Sequence, residues 1–259
     1  MKTSLIITTY NWKEALAAVL ESVKRQTVLP DEVIIADDGS REDTAELIKK
    51  YQQTFPVPLI HSWIEDAGFR LSKSRNVAIN KSLFDYIIMI DGDIFLSPSF
   101  IESHLKSAQK NWFVQGGRVQ TNEACAQNII NTNIIPNLFS KGLRNRKNCI
   151  NNSIMSKIFS FERNNDKATR GCNMAFWRSD VLEINGFNED FIGWGREDSE
   201  FTHRMLNLGR RRLYLKFSAV GYHLFHPENS KDMLNKRDII LENTIKNKLI
   251  RCENGINKF

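Results

Sequence analysis

A chain of 259 residues with 41% hydrophobic and 25% charged side chains can bury a sizeable core, and its composition excludes disorder as the expectation. The formal net charge of +6 favours an anionic partner, yet no nucleic-acid reading motif is present, so nucleic acid is not expected. No run approaches the roughly 18 apolar residues that cross a bilayer, and Met1 to Thr9 is too short and polar for a signal peptide. A cytoplasmic protein is expected.

Ser4 to Thr9 reads as the first strand, and Trp12 to Thr27 as a helix with Leu16, Val19, Leu20 and Val23 at helical spacing. Pro30-Asp31 breaks the chain before an apolar strand, Glu32 to Ala36, which runs into Asp37-Asp38-Gly39-Ser40 and a helix from Thr44 to Tyr51. A short strand at Pro58 to Ser62, the segment Glu65 to Arg70, and a helix from Leu71 to Lys81 lead to the buried strand Tyr86 to Ile90. This alternation predicts a mostly parallel α/β sheet flanked by helices, with residues 1–100 as a nucleotide-binding half.

Residues 101–230 read as a second half, interrupted at about 122–165 by an Asn-rich stretch without steady periodicity, expected to be an irregular, mobile insertion able to close over the site. The basic residues Lys141, Arg144, Arg146, Lys147, Lys157 and Arg163 there read as solvated loop. Order returns at Thr169 to Phe176 as a strand, then an acidic segment, Asn188 to Glu200, and a helix to about Leu208. In residues 231–259, Leu234, Leu241, Ile245, Leu249 and Cys252 share a helical face expected to dock on the core, with a peripheral membrane contact as the lesser alternative. Cys125, Cys149, Cys172 and Cys252 are too scattered for a zinc site or a disulfide scaffold.

The chemistry concentrates at a few places. Asp91-Gly92-Asp93 closes a buried strand, where open α/β sheets bind ligands, and two acids around a small residue suit a hard divalent cation that also contacts phosphates. A plain turn would use the same triplet, but His223 and His226 supply further ligands. A strand would point these two histidines to opposite faces, so both meet one ion only if the segment turns. Trp194, between Gly193 and Gly195, offers a flat face to a sugar ring, and Glu197, Asp198 and Glu200 offer a carboxylate base or helix-capping charges.

Together Ser4 to Asn11, Asp37 to Ser40, Asp91 to Asp93 and Trp194-Gly195-Arg196-Glu197-Asp198 resemble the family 2 glycosyltransferases of GT-A fold, particularly the β-1,4-galactosyltransferase and chondroitin-polymerase types. The resemblance implies a single GT-A domain over residues 1–259 that moves a sugar from a UDP-sugar to a glycan or lipid-linked glycan hydroxyl with inversion, in bacterial lipopolysaccharide or capsule synthesis. It implies Asp93, His226 and also His223 as ligands of Mn2+ or Mg2+, although the relatives carry methionine at the position of His223. Asp198 is the implied base, and Trp194, Gly195 and Glu197 the acceptor side. Thr8, Tyr10, Asp37, Asp38, Asp66, Arg70, Arg75, Asp91 and Gly92 are the implied donor side, with Asp37 accepting from the uracil imide. A binding module without turnover and a sugar nucleotidyltransferase are the alternatives, the latter without a glycine- and lysine-rich phosphate loop in its favour.

Overall fold

The computed structural model describes residues 1–227 and 234–258. The first half is β1 (Thr3–Thr9), α1 (Lys13–Lys24), β2 (Glu32–Asp37), α2 (Glu42–Gln52), β3 (Leu59–Trp63), α3 (Leu71–Lys81) and β4 (Tyr86–Asp91). There follow β5 (Ile94–Leu96), α4 (Phe100–Ser107), β6 (Trp112–Gln115), β7 (Arg118–Thr121), α5 (Glu123–Thr132), β8 (Leu143–Arg144), α6 (Ser153–Phe159) and β9 (Phe161–Glu162). The chain continues through β10 (Asn173–Trp177), α7 (Arg178–Glu183), α8 (Glu197–Asn207), β11 (Arg211–Tyr214), β12 (Gly221–His223) and α9 (Leu234–Lys246).

The large sheet has the order β3-β2-β1-β4-β10-β6-β11-β9, and β3, β2, β1 and β4 are all parallel. After β1 the chain moves to one side, through β2 and β3, and then returns to the other side at β4. The carboxyl ends of β1 and β4 therefore flank a topological switch point, the usual crevice of such sheets. Both faces are covered: Leu5 and Ile7 pack with Leu16, Val19 and Ile48 on one side, and Ile6 with Ile79, Phe176 and Phe201 on the other. A second sheet, β5-β12-β7-β8, packs Phe95, Val119 and Tyr222 against Ala15 and Ile129.

Asn173 joins the two sheets. Its side-chain amide donates to Gly117 O at 2.8 Å and Ala219 O at 3.1 Å, leaving Oδ1 to accept from His104 Nε2 at 2.9 Å. Burial pulls the His104 imidazole down to about 4, so it stays neutral in this role.

Several boundaries differ from the sequence expectations. The segment expected to be irregular contains α5, α6, β8 and β9, and three of its asparagines are helix caps. Asn122 and Asn152 accept from Cys125 N and Met155 N at the starts of α5 and α6, and Asn133 ends α5 in the left-handed conformation. The strand expected from Thr169 begins only at Asn173. α9 stops before Leu249, and its inner face carries Arg237, Leu241 and Thr244, while Ile245 is exposed; the side chain of Leu234 lies outside the described residues.

Candidate active site

The parallel register places Thr8 beside Asp91 at the switch point, and Thr8 Oγ1 donates to Asp91 Oδ1 at 3.0 Å. A Cβ on Gly92 would lie 2.4 Å from Thr8 O, so only glycine lets the chain turn this close to β1. At the end of β2, Asp38 is buried and receives Arg70 N at 2.8 Å, while its Oδ1 has no partner among the described residues. Burial raises the Asp38 carboxyl to about 6, against the lowering effect of the Arg70 amide. Tyr10 is half exposed beside it, its hydroxyl 3.2 Å from Asp66, and Asp66 Oδ1 accepts from Gly68 N.

Past Gly92 the chain enters the second sheet. Antiparallel pairing sets His223 opposite Ile94, next to Asp93, and β12 ends there so that His226 swings back to the same carboxylate. Asp93 Oδ2 lies 3.3 Å from His223 Nε2 and 3.1 Å from His226 Nε2. Ligand atoms from Asp93, His223 and His226 all fall within 4.8 Å of one another, and the buried Asp93 Oδ1 has no hydrogen-bond partner among the described residues. Burial opposes ionisation of Asp93, but the hydrogen bond from His226 and the charges of His223, His226 and Arg118 outweigh it and hold its carboxyl below the usual range. Burial pulls His223 down, whereas the Asp93 hydrogen bond raises His226. An anionic oxygen with a free lone pair and two imidazoles is a donor set that fits a divalent first-row cation.

On the other wall, Gly193 and Gly195 adopt positive φ of 87° and 103°, holding Trp194 45% exposed. This loop is tied on both sides. Gly193 N donates to Phe69 O at 2.9 Å, Arg237 of α9 donates to Ile192 O and Trp194 O, and Arg196 pairs with Asp238 at 2.7 Å. At the start of α8, Asp198 accepts from Gly171 N at 3.1 Å and Ser199 N at 2.7 Å. Glu197 is buried, and its carboxyl is pushed up to about 7 by burial and then by Asp198. Arg75 connects the walls: it reaches Asp91 Oδ1 at 3.2 Å and Glu197 Oε1 at 3.3 Å, and its guanidinium lies 5.1 Å from the centre of the Phe187 ring.

The Glycosyl transferase family 2 profile matches residues 4–182, well over half of the chain. The chain belongs to glycosyl transferase family 2. A second profile, the N-terminal domain of galactosyltransferase, matches residues 154–227 of this glycosyltransferase. It is 25% identical over 260 residues to a chondroitin synthase of Escherichia coli, covering 92% of this chain and 37% of that protein. With a hyaluronan synthase of Pasteurella multocida it shares 26% over 258 residues, covering 92% of this chain and 26% of that protein. The chain thus spans between about a quarter and somewhat more than a third of the length of these relatives. The crystal structure of S. aureus TarS 1–349 superposes with a TM-score of 0.65 at 15% identity, covering all of this chain and 68% of that one. The same protein in complex with UDP gives 0.60 at 18% identity, covering 96% and 71%. The glycosyltransferase therefore has the GT-A fold.

Two donor-side expectations need correction. Asp37 is fully buried, with Oδ1 accepting from Ser40 N at 2.8 Å and Oδ2 lying 2.8 Å from His61, so it is its burial that keeps a nucleotide base from reaching it. Asp38, with its unpartnered oxygen, is the acid with capacity to spare. Arg75 is 1% exposed and committed to two carboxylates, which makes it scaffold rather than a phosphate contact. Glu200 is likewise removed from competition as a base by its buried two-pronged pair with Arg204, at 2.7 and 2.8 Å. Residues not anticipated are Arg118, whose charge acts on Asp93 and both histidines, Trp12, whose ring stands edge-on to His226 at 5.9 Å, and Gly171. A Cβ on Gly171 would meet Arg75 Nη2 at 2.6 Å. An arginine on a four-residue strand and a glycine before another carry no local sequence signal.

Proposed function

We propose that this glycosyltransferase is a single catalytic domain that transfers galactose, glucose or an N-acetylhexosamine from a UDP-sugar to a glycan or lipid-linked glycan hydroxyl, inverting the anomeric centre. The meeting of Asp93, His223 and His226 beside Asp91 at the switch point carries the reading. These three residues would hold Mn2+ or Mg2+, with the imidazoles favouring manganese. When bound, such an ion neutralises charge on a diphosphate leaving group. Asp38 and Tyr10 would receive the base, Thr8 and Asp91 the ribose end of the nucleotide, and Asp66 and Arg70 the neighbouring donor wall. Trp194 stacks on the acceptor sugar, with Gly195 giving the backbone its path.

Asp198 takes the proton of the attacking hydroxyl. Its two backbone hydrogen bonds fix the carboxylate's orientation while leaving lone pairs for the acceptor. Glu197, buried and paired with Arg75, supports this wall from below. Similarity to proteins named chondroitin synthase and hyaluronan synthase supports a polysaccharide product, and we place the reaction in bacterial lipopolysaccharide or capsule assembly on the cytoplasmic side. The test is UDP release from a panel of UDP-sugars with manganese, magnesium or chelator, reading donor binding in the same samples. Metal-dependent release with one sugar is expected; absence of both binding and release with every sugar and metal would sink the proposal.

A further inference from the structure

Residues 124–170 hold eight lysines and arginines against only Glu162 and Asp166, a surplus of six that equals the formal net charge of the whole chain, +6. The remainder of the protein is neutral in sum. The same segment turns apolar side chains outward. On α6 the buried residue is Ser156, while Ile154, Ile158 and Phe159 are 69%, 68% and 52% exposed, an inversion of the pattern of a core-docking helix. Phe159 continues onto Phe217 at 5.5 Å, and exposed Phe161 onto Tyr214 at 5.6 Å, so the patch extends from α6 across the sheet edge. Cations rim it: Arg163 lies 4.8 and 4.3 Å from the Phe161 and Tyr214 rings, Lys216 lies 5.8 Å from Tyr214, and Lys157 is exposed on α6 itself. Glu162, an acid inside the patch, is neutralised by Arg211.

We propose that this face docks on an anionic lipid bilayer, with Ile154, Ile158 and Phe159 entering the acyl boundary and Lys157, Arg163 and Lys216 meeting headgroup phosphates. Charge complementarity selects this occupant. A soluble polyanion would satisfy the cations but leave the isoleucines in water, and a second copy of this chain would oppose like charges across the interface. The patch involves none of the residues assigned to donor, metal or acceptor, so the inference stands apart from the proposed reaction.

Flotation with vesicles of phosphatidylcholine, with or without phosphatidylglycerol, tests it. The protein is expected to float with the anionic vesicles only, and less so as salt is raised. I154S combined with I158S should weaken that binding at least about ten-fold, the effect of withdrawing two aliphatic side chains from an apolar phase. K157E should weaken it about five-fold or more, with unchanged thermal unfolding and unchanged donor hydrolysis in solution. If the isoleucine variant does not fold, K157E alone decides. Equal flotation with neutral vesicles, none with either, or undiminished binding by the variants would overturn the proposal. Displacement by heparin with no effect of the isoleucine changes would instead mark a polyanion site and equally overturn it.

Discussion

Arg75→Met tests whether one buried cation holds the two walls of the site together. The substitution keeps an unbranched side chain over Phe187 but leaves Glu197 and Asp91 without their shared counter-charge. Removing one member of a buried pair costs about 3–5 kcal/mol when the remaining charge stays ionised. The Asp91 side chain is 32% exposed and solvent screens it, so most of the penalty falls on Glu197, at 11%. That penalty depends on pH. The Glu197 carboxyl lies at about 7 rather than its ordinary 4.5, so between these values the folded protein keeps a proton that the unfolded chain has released, and stability falls as pH rises through the window. Without the lowering influence of Arg75, the upper edge of the window moves higher still. Urea unfolding followed by tryptophan fluorescence should show Arg75→Met costing about 1 kcal/mol near pH 5.5, where Glu197 is protonated in both proteins, and about 3 kcal/mol near pH 8.5. In a Glu197→Gln background the difference between the two pH values should vanish. An equal cost at both pH values, or one below about 1 kcal/mol near pH 8.5, would refute the reasoning.

Asp198→Asn should retain UDP-sugar binding by calorimetry yet lower transfer about a hundred- to ten-thousand-fold, and near-normal transfer would move the base elsewhere. Gly92→Ala places a methyl 2.4 Å from Thr8 O, a backbone atom of the neighbouring strand, and should destabilise by about 1–3 kcal/mol in thermal unfolding while weakening donor binding. Arg237→Ala withdraws the guanidinium from the Ile192 and Trp194 carbonyls. Steady-state kinetics should then show a raised KM for acceptor with donor hydrolysis unchanged; a fall in donor hydrolysis would show that the clamp supports both substrates.

The first half of the fold was legible because strand and helix periods alternate cleanly there: α3 spans Leu71–Lys81 as its sequence predicts, and Leu16, Val19, Leu20 and Val23 all lie in the core. Asp91-Gly92-Asp93 is a weak signal alone, since a turn would use the same triplet, and stood out only together with the acid cluster and the paired histidines further along the chain. Other features depend on contacts between distant residues. Composition marks Asp37-Asp38 as a turn but cannot say that His61, on the adjacent strand, occupies the first acid and leaves an oxygen of the second without a partner. The asparagines of residues 122–165 suggested irregularity because a cap and a loop draw on the same residue type. Whether His223 and His226 would meet was undecidable from their spacing, since the answer lies in where β12 ends.

Asn173 sets the mechanical character of the site. Asp91 terminates a strand of one sheet while Asp93 abuts the other, so any shear between the sheets would pull the two carboxylates apart. Asn173 resists that shear by anchoring three chain segments from one buried amide, two on the β7 and β12 side and one on α4. Rigidity is thus concentrated at a residue that lies behind the chemistry. Substrate-driven adjustment should therefore be local, with amide exchange slowest along the seam and fastest at the rims of the crevice.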